Sequence, residues 1–249
     1  MDADLKRRLT YTAIAGVVLL GARLGYLAWE RRDPGVEPAR QQAADTGNQD
    51  DYVKTHKIFA YSLKSAQKEM VGNPLWVKTG YQIPYYHYDT AAHSASFQKR
   101  AGLLPPLEKF TVDDVVLQKA PTKLVPGQVA VASKEVLIVF KREGDKGSYA
   151  APVGANVGDD FTFTVNENFY SSDPHEMYKH WPPDIWTVIE QHQVKEGMNE
   201  LQSGLALGTE MAVGPGEYGN RVVEFTNMGK PVQVNFAKNK AIKVTPVPQ

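Results

Sequence analysis

The sequence predicts a mixed α+β chain: an N-terminal transmembrane helix, a small β barrel or sandwich, then a two-layer unit of two helices on a sheet. Three observations carry this. One apolar run, Leu9 to Trp29, is long enough to cross a bilayer. Between Val112 and Tyr170, short β-branched and aromatic stretches recur between turn residues. From Asp173 onward, helix caps and apolar faces precede alternating segments.

Lys6-Arg7-Arg8 precedes the apolar run, and Glu30-Arg31-Arg32-Asp33-Pro34 stops it. About 20 helical residues rise about 30 Å, the depth of the hydrocarbon core. No small-x-small cleavage site follows, since Leu20 stands two before Ala22 and Tyr26 two before Ala28. Residues 1–33 are therefore expected to be an uncleaved anchor in the inner (cytoplasmic) membrane, touching lipid through residues 9–29. Arg23 lies between Gly21 and Gly25, small residues that let another helix approach closely. Two readings stand: an arginine snorkelling from a lone span, or a span packed on partner helices with Arg23 paired there. Lys6, Arg7 and Arg8 balance Arg31, Arg32 and Arg40, so charge does not orient the helix. The short basic tail favours an N-terminus in the cytoplasm and a body in the periplasm or outside the cell.

The 28 basic and 28 acidic residues cancel, and no basic stripe interleaves with aromatics, which argues against nucleic acid. The absence of cysteine excludes disulfides, thiolate metal sites and cysteine nucleophiles.

Residues 34–51, rich in Pro, Gln, Ala, Gly and Asp, read as a linker. Residues 52–111 read as a helical and then irregular segment. Val53, Ile58, Phe59, Leu63, Ala66 and Met70 suggest a helix from Tyr52 to Val71, ended by Gly72-Asn73-Pro74. Trp76 to Phe110 is dense in aromatics without a period. Residues 112–172 read as a small β domain, with strands at Val129–Val131, Val136–Phe140, Tyr149–Val153 and Phe161–Val165. Turns fall at Glu143–Gly147 and Gly158–Asp160.

Asp173 to Trp181 superficially resembles a zinc-protease helix, but His175 and His180 are five apart. Five residues overshoot one helical face by about 140°, so both imidazoles do not reach one ion. A packed junction holding Trp181 and Trp186 explains the segment better. Tyr81, Tyr85, Tyr86, His87, Tyr88 and His93 form an aromatic cluster, which suits a protein interface or a core equally. Contacts with other proteins are accordingly expected at Gly21, Arg23, Gly25, Tyr85, Tyr86, Tyr88, Trp181 and Trp186. Ser171-Ser172 lies in no nucleophile elbow. Gly214-Pro215-Gly216-Glu217-Tyr218-Gly219 lacks the ending of a phosphate loop. No catalytic residue, cofactor, metal or small-molecule substrate is expected.

In residues 173–249, Asp184 is placed to cap a helix carrying Ile185, Val188 and Ile189. Gly197-Met198 then opens a second helix capped by Asn199, with Gln202 as capping-box partner and Leu201, Leu205 and Ala206 on its apolar face. Gly208 closes it. Arg221–Phe225 and Val232–Phe236 alternate as half-buried strands. On Gly197, Met198, Gln202 and Gly208, the stretch from about Ile185 to Val244 resembles the BamE (SmpA/OmlA) lipoprotein family, which helps assemble outer-membrane barrels. The proline that usually follows the closing Gly-x is replaced by Glu210, and the lipid-acceptor cysteine is absent. The resemblance implies a helix-helix-sheet module with Met198 in its core and Glu200 on the exposed side. It also implies a role in holding other proteins.

The expected function is a membrane-anchored scaffold or assembly protein, not an enzyme, that binds other envelope proteins. The alternative is an accessory subunit of a large inner-membrane complex, favoured by Gly21, Arg23 and Gly25. Third comes a cell-wall hydrolase, for which no paired carboxylates stand at a recognisable spacing.

Overall fold

The computed structural model describes residue 53 and residues 55–119 and 134–247. The chain divides into two compact units, residues 1–45 and 46–249, and every described residue belongs to the second. The expected span at 9–29, with Gly21, Arg23 and Gly25, the linker 34–51 and the strand at 129–131 lie outside the described residues. Among the described residues no helix is long and apolar enough to cross a membrane.

The unit is mixed α+β, mostly sheet, and both of its sheets are antiparallel. Its first helix, α1 (Leu63–Met70), is shorter than the apolar pattern suggests. Ser62 caps it, and Ser65 answers in a reciprocal box that fixes the start. The described residues before Ser62, expected to be helical, form no regular element instead.

The larger sheet contains β1 (Pro74–Val77), β2 (Pro84–Asp89), β3 (Ser94–Leu103), β4 (Lys109–Lys119), β5 (Lys134–Lys141), β6 (Ser148–Val157), β7 (Asp160–Phe163) and β8 (Phe169–Tyr170). The order is β3-β2-β6-β5-β4-β1-β8, with β7 added to β6. The segment expected to be irregular, 76–110, thus holds the end of β1, all of β2 and β3, and the start of β4. Its missing period has a physical cause. The β2–β3 register shifts between Tyr85 and Tyr86 and again between Tyr86 and Tyr88, which scrambles the alternation that a regular strand writes into sequence. The sheet also draws strands from both sides of residue 111, so 112–172 does not supply it alone.

β5 is the sheet's centre. Val136, Ile138 and Phe140 join one core with Leu75, Val112, Val153 and α1, while Leu137 and Val139 join a second with Tyr88 and Ala150. Alternate residues face opposite sides, so a strand covered on both reads as one apolar run. At the far end the Gln118 amide accepts from the Ala95 N–H at 2.6 Å and donates to the Ala95 carbonyl at 2.8 Å. A side chain thereby bridges β3 to β4 as a strand would.

α2 (Val165–Asn168) precedes β8, and α3 (Pro174–Met177) and α4 (Pro183–Glu190) follow it. Pro182, not Asp184, is the cap of α4; Asp184 sits in the first turn and pairs with Lys195. α5 (Glu200–Leu207) carries the expected box between Asn199 and Gln202. Four strands follow where two were expected: β9 (Glu210–Val213), β10 (Val222–Phe225), β11 (Val232–Ala237) and β12 (Lys240–Pro246), in the order β12-β11-β10-β9. The glycine-rich 214–219 stretch therefore joins two strands.

Gly197 and Gly208 each adopt a positive φ, +89° and +86°, that favours glycine. The Gly197 N–H donates to the Ala241 carbonyl, and the Ala241 N–H to the Met198 carbonyl, which stitches the turn to β12. Met198 is fully buried beside Leu205, Val223 and Phe225. At Gly208 a Cβ would lie 2.8 Å from the Gly80 carbonyl oxygen and closer still to Tyr81. The Thr209 N–H and hydroxyl both donate to that carbonyl, so the second sheet is fastened to the first.

Glu200, expected to be exposed, is the opposite. Its side chain is fully buried, accepting from Arg221 Nε at 2.8 Å, from Arg221 Nη2, and from the Gly219 N–H at 2.7 Å. The helix N-terminus favours this charge, and Arg221, beneath the Tyr218 ring, neutralises it.

Candidate functional site

The aromatic residues expected to meet partners lie inside. Tyr85 and Tyr88 are buried. The Tyr85 hydroxyl accepts from Arg142 Nη1 at 2.6 Å, and Arg142 forks onto both oxygens of Glu108. The Tyr88 hydroxyl has no hydrogen-bond partner among the described residues. Tyr86 is half-buried, edge-on to Phe97. Trp181 stacks on Tyr178 at 4.3 Å and packs on Trp186, in the core that also holds Trp76 of β1 and Tyr170 of β8. The two tryptophans thus fill the junction between the sheets. His175 stacks on Trp186 with its ring nitrogens 3.1 Å from Asp173 and 3.0 Å from Glu190, while His180 lies edge-on to Tyr178 and Trp181. Among the described residues no three His, Asp or Glu side chains converge as metal ligands.

The exposed aromatics are elsewhere. Phe59 and Tyr61 are 75% and 80% exposed, on the irregular segment just before α1. That segment is held by side chains. Asn166 of α2 accepts from the Ile58 N–H at 2.9 Å and donates to the Ile58 carbonyl at 2.8 Å. Ile58 itself is buried in the larger sheet's core. The Ser171 hydroxyl donates to the His56 carbonyl at 2.6 Å, and the Tyr61 N–H donates to Ser65 Oγ. Phe59 and Tyr61 therefore project from a fixed backbone, with exposed Lys57 and Lys64 on either side.

The same segment walls a cleft of about 270 Å³. Thr55, His56 and Lys57 face Lys78, Glu167 and Ser172 across a floor of Phe169 and Tyr170. Ser171 lies 3.4 Å from His56 Nδ1, but its proton goes to the His56 carbonyl, the geometry of a fastener. Burial, with a hydrogen bond to Tyr178, pushes the Tyr170 hydroxyl far above its ordinary titration range, so it remains neutral.

The sequence did not single out Phe59 and Tyr61 as a surface, because an apolar pattern through Ile58, Phe59 and Leu63 fits a helix face. The signal was Ser62-x-x-Ser65, a cap that ends the irregular segment and starts the helix four residues after Phe59. Comparison with known proteins gives no match: no family model, no curated protein and no solved structure corresponds to this chain.

Proposed function

We propose that this protein is a membrane-anchored scaffold whose body lies outside the cytoplasm and binds other envelope proteins, without catalysis, cofactor or metal. The observation that carries the proposal is the pair Phe59 and Tyr61, two large rings in water on a backbone fixed by Asn166 and Ser62. Pre-ordered aromatic anchors suit protein recognition, because little entropy remains to be lost on binding. Lys57 and Lys64 beside them favour an acidic rim on the partner. The resemblance of residues 185–244 to the BamE family, carried by Gly197, Met198, Gln202 and Gly208, supports the same reading. A span at 9–29 and a linker at 34–51 would tether this body to the bilayer. A second reading, an accessory subunit of a large membrane complex, is favoured by Arg23 between Gly21 and Gly25.

A photo-crosslinking residue at Tyr61 in the full chain, in its native membrane, tests the reading. The expected product is one defined envelope protein, lost when Phe59 becomes Ala while the melting temperature is unchanged. Products containing only lipid, or crosslinks indifferent to Phe59→Ala, would remove the proposed surface.

A further inference from the structure

The cleft beside the 55–57 segment combines a fixed frame with idle donors. Its frame is committed to holding the chain. The Ser171 hydroxyl donates to the His56 carbonyl, and the Asn166 amide is spent on both backbone groups of Ile58. Four other polar side chains that line it are uncommitted. Those of Thr55, Lys57, Lys78 and Ser172 make no hydrogen bond or salt bridge among the described residues. The Lys78 ammonium lies 5.6 Å from the centre of the Tyr170 ring, which keeps it over the cleft floor.

The two lysines reach the cleft from different elements, Lys57 from the segment before α1 and Lys78 from the end of β1. Like charges lining one concavity repel each other, and the low-dielectric walls focus their field on whatever enters. Glu167 is the single acid on the lining, and it forms no salt bridge with either lysine. Two cations against one acid leave the cleft positive, before any contribution from His56. Its volume of about 270 Å³ is just under the about 300 Å³ at which pockets for drug-sized ligands begin, so it suits a molecule of metabolite size.

Chemistry selects among anions. No arginine lines the cleft, so it lacks the planar fork that matches a carboxylate. Lysine is a point charge, which serves a tetrahedral phosphate from any direction. A phosphomonoester carries about −1.5 to −2 charges near neutral pH and three strong acceptor oxygens. Two ammonium groups and two free hydroxyls match that charge and those acceptors.

We propose that this cleft binds a small soluble phosphomonoester. The phosphate sits between Lys57 and Lys78 with Thr55 and Ser172 as hydroxyl donors, and the organic body rests on Phe169 and Tyr170. Glu167 opposes the anion and lowers its affinity. The site is separate from the rings of Phe59 and Tyr61, and it stands whether or not a protein binds there.

Calorimetric titration of glycerol phosphate into the full-length chain in detergent tests this. Binding should saturate and should weaken with added salt. Lys57→Gln and Lys78→Gln should each lower affinity about tenfold or more, the worth of a charge-assisted hydrogen bond. Lys64→Gln, which removes an exposed lysine outside the cleft, should leave it unchanged. Glu167→Gln should raise affinity about threefold, a gain that damage to the fold does not produce. Succinate, a dianion without a phosphate, should bind more weakly. Phosphatidic acid doped into the micelles, which carries the same monoester on a lipid, should not compete. No binding of glycerol phosphate, equal binding of succinate, displacement by phosphatidic acid, or indifference to both lysine substitutions at unchanged melting temperature would overturn the proposal.

Discussion

Two aromatic-rich stretches, 55–61 and 81–88, have opposite fates. Tyr85 and Tyr88 lie in β2, flanked by β3 and β6, and are enclosed. Phe59 and Tyr61 lie on an irregular segment held by Asn166, Ser171 and Ser65, and are exposed. Composition does not separate them; what packs over the ring does. Tyr85 and Tyr88 each join an apolar cluster, whereas Phe59 and Tyr61 join none among the described residues. The same rule distinguishes β5, buried on both faces, from β9, in which all four residues are exposed.

The largest test of this contrast lies at Glu200, the charged side chain that pairing has buried. Glu200→Ala leaves Arg221 without its main counter-charge and the Gly219 N–H without an acceptor. A loss of about 3–5 kcal/mol is expected, measured by denaturant unfolding. Met198→Ala, in the adjacent core, should cost about 2–5 kcal/mol. A change at Glu200 no larger than that of an exposed glutamate such as Glu217→Ala would show the burial to be wrong.

Much of this module was legible because its signals are local. Asn199 and Gln202 are three apart, Gly197 and Gly208 bracket the helix, and Val223, Phe225, Val234 and Phe236 alternate on the inner face. Glu200 was not legible, since its partner stands 21 residues away and an acid in a first turn is equally at home in water. β2 and β3 were hidden by their register shifts. β9 was hidden by its bulge and by Met211-Ala212-Val213, too short a run to signal a strand.

The tyrosines sharpen the contrast within one strand. Tyr85→Phe removes an acceptor from the Arg142 guanidinium and should cost about 1.5–3 kcal/mol. Tyr88→Phe removes a buried hydroxyl that has no hydrogen-bond partner among the described residues, so stability should hold or rise by up to about 1 kcal/mol. Equal losses at both would mean that Tyr88 hydrogen-bonds in solution.

The smallest effect concerns Glu135, a charge only partly covered on β5. Burial raises its carboxyl above the ordinary range. The folded state therefore holds this proton more tightly than the unfolded chain. Its contribution is full below the unfolded carboxylate value of about 4.3 and is lost as pH rises through the folded value. Glu135→Gln, neutral throughout, should be more stable relative to the parent at neutral pH than near pH 4. The gain should be no more than about 0.5 kcal/mol, because water screens a partly exposed group. The reverse trend would place Glu135 beside a cation.

Hydroxyl-radical footprinting of the full chain, in detergent and high salt, tests the central contrast in one measurement. Phe59 and Tyr61 should be modified rapidly, while Tyr85, Tyr88, Trp181 and Trp186 stay protected until the protein unfolds. Rapid labelling of Tyr85 and Tyr88 in the folded protein, with Phe59 and Tyr61 protected, would contradict the account.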